Sequence, residues 1–361
     1  MGVIDIADTE ERMNVVVGRA PGRVSLAGGG TDLPAYYSKR GGAVVSLTVN
    51  LYAYGQASPR QNELELLSLD SGSREVVHSG QFDRRMRPPI LAEDFLLFQK
   101  AVAWHFGIER GRIAASSEVP TGAGLGSSGA VCVALVQAAA AFVGEDLDKH
   151  RIAEAACQIE MDILRRSCGK QDQYASAFGG VNLIEFFPDA SVDVTPLKLG
   201  AATEEALMRR LMVFHNGARR DAVGPLQEQA RRSESDPDTV RALDRLKAMA
   251  YEMRDLIEGG NLDDVGPLLD EAWQQKQHLN STVSAPAVSR VYQLARDAGA
   301  TGGKLAGAGL AGTLVLYCPE VAQDDVTAAL GSQGWRLRTV ELDRTGAALG
   351  TAEETESDAT R

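Results

Sequence analysis

A chain of 361 residues has room for two domains of ordinary size. Its formal net charge of −12 argues against nucleic acid and membrane surfaces as partners, while 44% hydrophobic and 24% charged residues describe a soluble globular protein. The acidic start from Met1 to Asn14 is no secretory leader, and the longest apolar run, Ala130 to Val143, is too short to span a bilayer. Cys132, Cys157, Cys168 and Cys318 lack C-x-x-C spacing and read as reduced, buried thiols in a cytoplasmic protein without zinc.

Residues 1–12 read as a flexible N-terminus. Asn14 to Gly18 is a β-branched run, Arg19-Ala20-Pro21-Gly22 a turn, and Arg23 to Ala27 a resumed strand. That strand ends in Gly28-Gly29-Gly30-Thr31-Asp32-Leu33-Pro34, a loop that would let Asp32 meet a ligand closely; a plain turn with Asp32 as a helix cap is the alternative. Gly42 to Gly55 reads as one or two strands, and Glu63–Leu69 with Arg74–His78 reads as a hairpin around Asp70-Ser71-Gly72-Ser73. Ile90 to Phe106 has helical periodicity, and Gly111 to Val119 is a strand.

The stretch from Val119 to Gly129 (VPTGAGLGSSG) comes next. Glycines let a ligand approach the main chain, and two serines open a helix whose unpaired N–H groups favour an anion. The pattern predicts a grip on a nucleotide triphosphate. Gly124-x-Gly126-x-x-Gly129 and Gly307-x-Gly309-x-x-Gly312 also match the dinucleotide fingerprint, but neither has the strand and helix context it needs. There is no G-x-x-x-x-G-K-[ST] motif.

Ser127–Val143 reads as a central buried helix, and Asp148–Arg165 as a helix with Ile152, Ala156, Ile159 and Ile163 inward and Glu160 beside that face. Gly169-Lys170-Gln171-Asp172-Gln173-Tyr174 precedes a strand, Val181–Phe186. Composition changes between 188 and 205, which predicts a nucleotide-binding domain over 13–195 and a second over 205–345. The second half reads as a strand Leu211–His215, helical stretches over 225–259, 261–280 and 287–298, and a glycine-rich segment over 299–312. Strand Thr313–Tyr317, helix Val321–Leu330 and strand Trp335–Leu342 follow, then a polar tail, 350–361, expected to be disordered. Arg219 and Arg220, after Asn216-Gly217, carry forks suited to a phosphate dianion. His215 and His278 have no partner spacing and read as structural.

Three ordered motifs stand together: Ala20 to Asp32 (APGRVSLAGGGTD), Pro120 to Ser128 (PTGAGLGSS) and Gly303 to Gly312 (GKLAGAGLAG). In these the chain resembles the GHMP kinase superfamily from about Val15 to Tyr317. With Gly28 to Pro34, Gly169 to Tyr174 and Trp273-x-x-Lys276, it is most similar to the branch acting on D-glycero-D-manno-heptose 7-phosphate. The resemblance implies an α+β, two-domain fold: a ribosomal protein S5 domain 2-like N-terminal domain, a ferredoxin-like C-terminal domain and an active site between them. It implies ATP-dependent phosphorylation of the sugar's anomeric hydroxyl. A galactose- or fucose-like kinase, or an inactive sugar sensor, are the alternatives.

By the same resemblance, Pro120, Gly122, Ala123, Gly124, Leu125, Gly126, Ser127 and Ser128 would wrap the phosphates. Ser128 and Glu160 would hold Mg²⁺, which takes few protein ligands. Asp172 would orient and deprotonate the acceptor, and Arg23 would stabilise the transferring phosphoryl group. Gly28, Gly29, Gly30, Thr31, Asp32 and Tyr174 would meet the sugar, and Arg220, Arg219 or Lys276 the phosphate it already carries. Leu310-Ala311 stands where many members have two glycines, which suggests a packing role for that loop. A monomer and a homo-oligomer are equally open.

Overall fold

The computed structural model describes residues 15–78, 94–119, 122–218, 223–279, 286–307 and 312–350. The first strand, β1 (Val16–Ala27), runs unbroken through the segment expected to turn. What the sequence marks there is a shift of register against β2 (Gly42–Ser58) between Pro21 and Gly22. Proline has no N–H for the ladder, so the pairing slips by a bulge rather than breaking. Between β1 and β2 lie the glycine loop and a short helix, α1 (Pro34–Arg40).

β2 is the axis of the first sheet. Its first half pairs with β6 (Val181–Phe186) and its second half with β5 (Gly111–Ser117). β3 (Glu63–Ser68) runs parallel to β5 and forms the expected hairpin with β4 (Arg74–His78), and β7 (Val192–Pro196) pairs with β6. On one face lie α2 (Leu97–Phe106), α3 (Ser127–Phe142), α4 (Lys149–Cys157) and α5 (Gln171–Phe178). α3 is mostly alanine and valine and settles directly on β1 and β2; a Cβ on Gly55 would lie 2.6 Å from the Ala134 carbonyl carbon. At the N-terminus of α3, a Cβ on Gly126 would lie 3.0 Å from Arg23 Cγ on β1. α4 does not run on as one α-helix. Gln158–Ile163 widens into a π-turn that carries Glu160 inward.

After α6 (Ala201–Arg210) the chain builds a second, antiparallel sheet. Its order is β11 (Arg336–Arg338), β8 (Leu211–His215), β10 (Thr313–Tyr317), β9 (Gly302–Leu305). The long helical stretch expected after β8 is two helices, α7 (Val223–Ser235) and α8 (Pro237–Glu258). Asp236 caps α8 by accepting from Asp238 N at 3.1 Å, and Pro237 at the first helical position cannot continue α7. α9 (Val265–Leu279), α10 (Pro286–Asp297) and α11 (Gln323–Gly331) complete this half.

α8 covers the other face of β1 and β2, so one apolar core joins Val24, Leu47 and Val49 to Leu246, Met249 and Val315. Tyr36 on α1 donates to Asp244 on α8 at 2.6 Å across the same junction. The chain then returns to the first sheet: β12 (Ala348–Gly350) pairs with β1, and Leu342 bridges Val49. The last expected strand is correspondingly short, because Leu342 has already left the second sheet. Among the described residues no helix is long and apolar enough to cross a membrane.

Candidate active site

Arg23 sits in the middle of β1 and is 4% exposed. A buried guanidinium must be paired. Its Nε and Nη2 donate to Asp172 Oδ1 at 2.8 and 2.5 Å, and its Nη1 donates to the Gly124 carbonyl at 2.6 Å. The Arg23 amide also donates to the Leu125 carbonyl at 2.8 Å. One residue thus ties the first motif to the glycine loop and to the first turn of α5.

The glycines of that loop are spacing elements. Gly126 has φ +74° and precedes α3 as its N-cap; a Cβ there would lie 3.0 Å from Arg23 Cγ and 3.5 Å from Asp172 Cγ. Gly129, one turn into α3, would place a Cβ 2.7 Å from Asp172 Cβ. The helix therefore comes close enough to bring its uncapped first amides beside the Arg23–Asp172 pair. Ser127 and Ser128 are the first two helical residues rather than caps, and no side chain caps this helix. Gly124 and Gly307 pack against one another; a Cβ on either would lie 2.6 Å from backbone atoms of the other's loop.

Glu160 is fully buried. Gln173 donates to its Oε1 at 2.7 Å, and Arg166 Nε stands 3.7 Å from Oε2. Oε2 has no hydrogen-bond partner among the described residues. Burial raises the Glu160 pKa, and Arg166, Gln173 and the adjacent Ser128 hydroxyl oppose it. A buried carboxylate with one uncommitted oxygen, beside a serine hydroxyl, is a donor pair that fits Mg²⁺. The described residues hold no cluster of three or more His, Cys, Asp or Glu that suits a metal held by protein alone.

The Gly28 to Asp32 loop forms the neighbouring floor. Thr31 is spent on structure: its one hydroxyl proton is shared between the carbonyls of Gly28 and Ala43, at 2.8 and 3.0 Å, and its oxygen accepts from the Ala43 amide at 3.1 Å. Asp32 accepts from Gly30 N at 3.0 Å and from Gln171 N at 3.3 Å, clasping the loop to the start of α5. Burial raises its pKa, and the nearby Asp172 charge adds to that. Gln229 on α7 covers the loop, donating to the Gly30 carbonyl at 3.2 Å.

Two lysines from the second half face this wall. Lys276 on α9 donates to the Gly307 carbonyl. Burial and the Arg23 charge draw its pKa down to about 8, against the pull of Asp32 and Asp172. Lys304 on β9 is 5% exposed and reaches the Leu26 carbonyl at 3.3 Å. Burial lowers its pKa well below the usual lysine range, and the Lys276 and Arg23 charges push the same way. The charges of Arg23, Lys276 and Lys304 therefore converge with those of Asp32 and Asp172.

Most of the candidate residues thus meet, but Tyr174 does not. It lies two positions after Asp172 on α5, some 200° round the helix. Its ring is buried in the core against His150 and Phe178, with centroids at 5.3 and 6.4 Å. That corrects the expectation that it touches the sugar. Pro120, Arg219, Arg220 and Leu310-Ala311 lie outside the described residues. Lys304 lies within the Gly303–Gly312 motif without an expected role of its own, and Gln229 lies in no motif. A lysine inside an otherwise apolar strand was a signal for the first; Gln229 lies on a polar helix and gave none.

Comparison with known proteins extends this picture. The pattern of the GHMP kinases N terminal domain matches residues 94–180, and that of the GHMP kinases C terminal region matches 253–336. The D-glycero-alpha-D-manno-heptose 7-phosphate kinase of Campylobacter jejuni subsp. jejuni is 28% identical over 343 residues, covering 92% of this chain and 98% of that protein. The L-fucokinase/L-fucose-1-P guanylyltransferase of Bacteroides fragilis is 28% identical over 85% of this chain, but only over 35% of its own length. The crystal structure of a D-glycero-D-manno-heptose 1-phosphate kinase from Bacteroides thetaiotaomicron superposes with a TM-score of 0.75 at 24% identity, covering 93% of this chain and 98% of that one.

Proposed function

This chain belongs to the GHMP kinases and is a sugar kinase; we propose that it transfers the γ-phosphoryl group of ATP to the anomeric hydroxyl of D-glycero-D-manno-heptose 7-phosphate. The observation that carries the reading is the Arg23–Asp172 pair, set where the glycine loop, the Gly28–Asp32 floor and the first turn of α5 meet.

Phosphoryl transfer asks for alignment and charge stabilisation more than for covalent chemistry. The amides of Gly122 to Ser128 hold the polyphosphate. Ser128 and Glu160 would hold Mg²⁺, which when bound neutralises charge on the phosphate oxygens. The acceptor hydroxyl lies against Asp172, and its oxygen attacks phosphorus in line with the bridging oxygen that leaves with ADP. The hydroxyl proton passes to Asp172 late in the step, once the new O–P bond has begun to form. Until then Arg23 holds the Asp172 carboxylate in place by donating twice to its Oδ1. Arg23 also faces the phosphoryl group in flight. Asp32 fixes the floor and offers its remaining lone pairs to the sugar.

Three cationic side chains in one cleft favour an acceptor that is itself an anion over a neutral hexose. Lys276 and Lys304 would meet the phosphate that the heptose already carries. The fucokinase relative supports a second reading, a neutral 6-deoxy sugar as acceptor. ADP release measured over a panel of sugars with and without a terminal phosphate separates the two. The expected result is turnover of the heptose 7-phosphate with little on fucose or galactose. A preference for a neutral sugar would overturn the assignment.

A further inference from the structure

Side chains alternate along β1, so Ser25 stands on the same face as Arg23, one step further towards the glycine loop. The register against β2 is unshifted between them, with Arg23 opposite Thr48 and Ser25 opposite Ser46. α5 opens with Gln171 and Asp172 in succession. Beside the hydrogen-bonded Arg23–Asp172 pair stands a second, unbonded pair, Ser25 and Gln171. Gly29 lies against the second pair. A Cβ at that position would stand 3.1 Å from Ser25 Oγ and 3.8 Å from Gln171 Nε2.

The two pairs differ in how their polar atoms are used. Arg23 and Asp172 satisfy one another. Ser25 Oγ and Gln171 Oε1 are both buried, and neither has a hydrogen-bond partner among the described residues. Buried polar atoms are nearly always partnered, and a pair left open at a site asks for an external donor. Ring hydroxyls of a sugar both donate and accept. Backbone geometry contributes as well: Asp32 holds the Gln171 amide, which fixes the side chain's origin. At Gly29 a side chain would intrude on the gap.

We propose that Ser25 and Gln171 select the acceptor by binding the hydroxyl next to the one that is phosphorylated, with Gly29 keeping the gap open. Asp172 takes the reacting hydroxyl of a vicinal diol; Gln171 Oε1 accepts from its neighbour, which in turn accepts from Ser25. This rests on the sugar kinase reading above.

The test uses Ser25→Ala, Gln171→Ala and Gly29→Ala in the full-length chain, on whichever panel sugar the wild type turns over best. The acceptor KM is expected to rise roughly tenfold in each variant while the KM for ATP stays within about twofold. An acceptor lacking the neighbouring hydroxyl should lose about as much on the wild type and nothing further on Gln171→Ala, since one interaction cannot be lost twice. Ser25→Ala removes an unpaired buried hydroxyl, so its ligand-free melting temperature should hold or rise; a structural role would lower it. An unchanged acceptor KM in the three variants, or additive losses with the deoxy acceptor, would overturn the inference and leave the kinase reading standing. No turnover of any sugar by the wild type would overturn both.

Discussion

On the wall built by β1 and α5, charge is matched inside the protein. Arg23 and Asp172 share a two-pronged contact, and Asp32 is held by two amides. On the facing wall, built by α9 and β9, Lys276 and Lys304 lean on single carbonyls, of Gly307 and Leu26. A carbonyl satisfies one N–H of an ammonium but does not neutralise its charge. The charges of the Arg23–Asp172 pair are therefore matched before any substrate arrives, and the second wall becomes electrostatically whole when an anion enters. Preorganisation suits the groups that must be aligned in the transition state; an unmet charge suits the groups that recruit a phosphate.

The comparison breaks most visibly at Arg23. Arg23→Met leaves Asp172 without its partner and should lower kcat by on the order of 10³, with a smaller change in ATP affinity. Steady-state kinetics with the heptose 7-phosphate checks this, and a change confined to KM would put Arg23 on the recruiting side instead. Next in size is the contact between the walls. Gly124→Ala demands φ +80° and places a Cβ 2.6 Å from the Ala306 carbonyl, so thermal unfolding should show a loss of more than ~2 kcal/mol. Gly144→Ala, at φ +80° with nothing within 4 Å, is the control and should cost about 1 kcal/mol from backbone strain alone.

Lys304→Met sharpens the comparison by pulling affinity and stability apart. The KM for the anionic substrate should rise roughly tenfold while stability holds or improves, since a buried ammonium is replaced by a similar apolar volume. The sign with pH is fixed too. The lysine's folded pKa lies below its unfolded one, so the unfolded chain binds more protons in that interval and wild-type stability rises with pH across it. Lys304→Met should flatten that rise, which denaturant titrations at several pH values would reveal.

The smallest effect concerns Lys276. With its pKa drawn down to about 8, the free enzyme loses this cation as pH climbs past that point. The kcat/KM profile should fall on its basic side with a midpoint near 8, and Lys276→Arg should move that limb out of range. An unmoved limb would assign the titration elsewhere.

The first wall was legible in the sequence because its parts are local patterns. Three runs of glycine with a fixed arginine, serine or aspartate announced it, and Arg23, Ser128, Glu160 and Asp172 do come together. Local patterns also misled. Pro21-Gly22 signals a turn in isolation, but pairing with β2 on one side and β12 on the other holds β1 straight. Tyr174 sits in the right motif on the wrong face of its helix. On the second wall only Lys276 carried an expected role; Lys304, like Gln229 over the glycine floor, meets the site only through the packing of distant elements. Gly129 carries a similar lesson: it read as part of a loop signature, yet its function is to let α3 approach Asp172.

Phosphorus NMR on Asp172→Asn with Mg-ATP and the heptose 7-phosphate tests the account most directly. Asparagine keeps the shape of the side chain and loses the proton acceptor. Wild type should convert the mixture to ADP and a sugar bisphosphate, whereas the variant should still bind ATP and form product slower by on the order of 10² to 10⁴. Product at the wild-type rate from Asp172→Asn would contradict it.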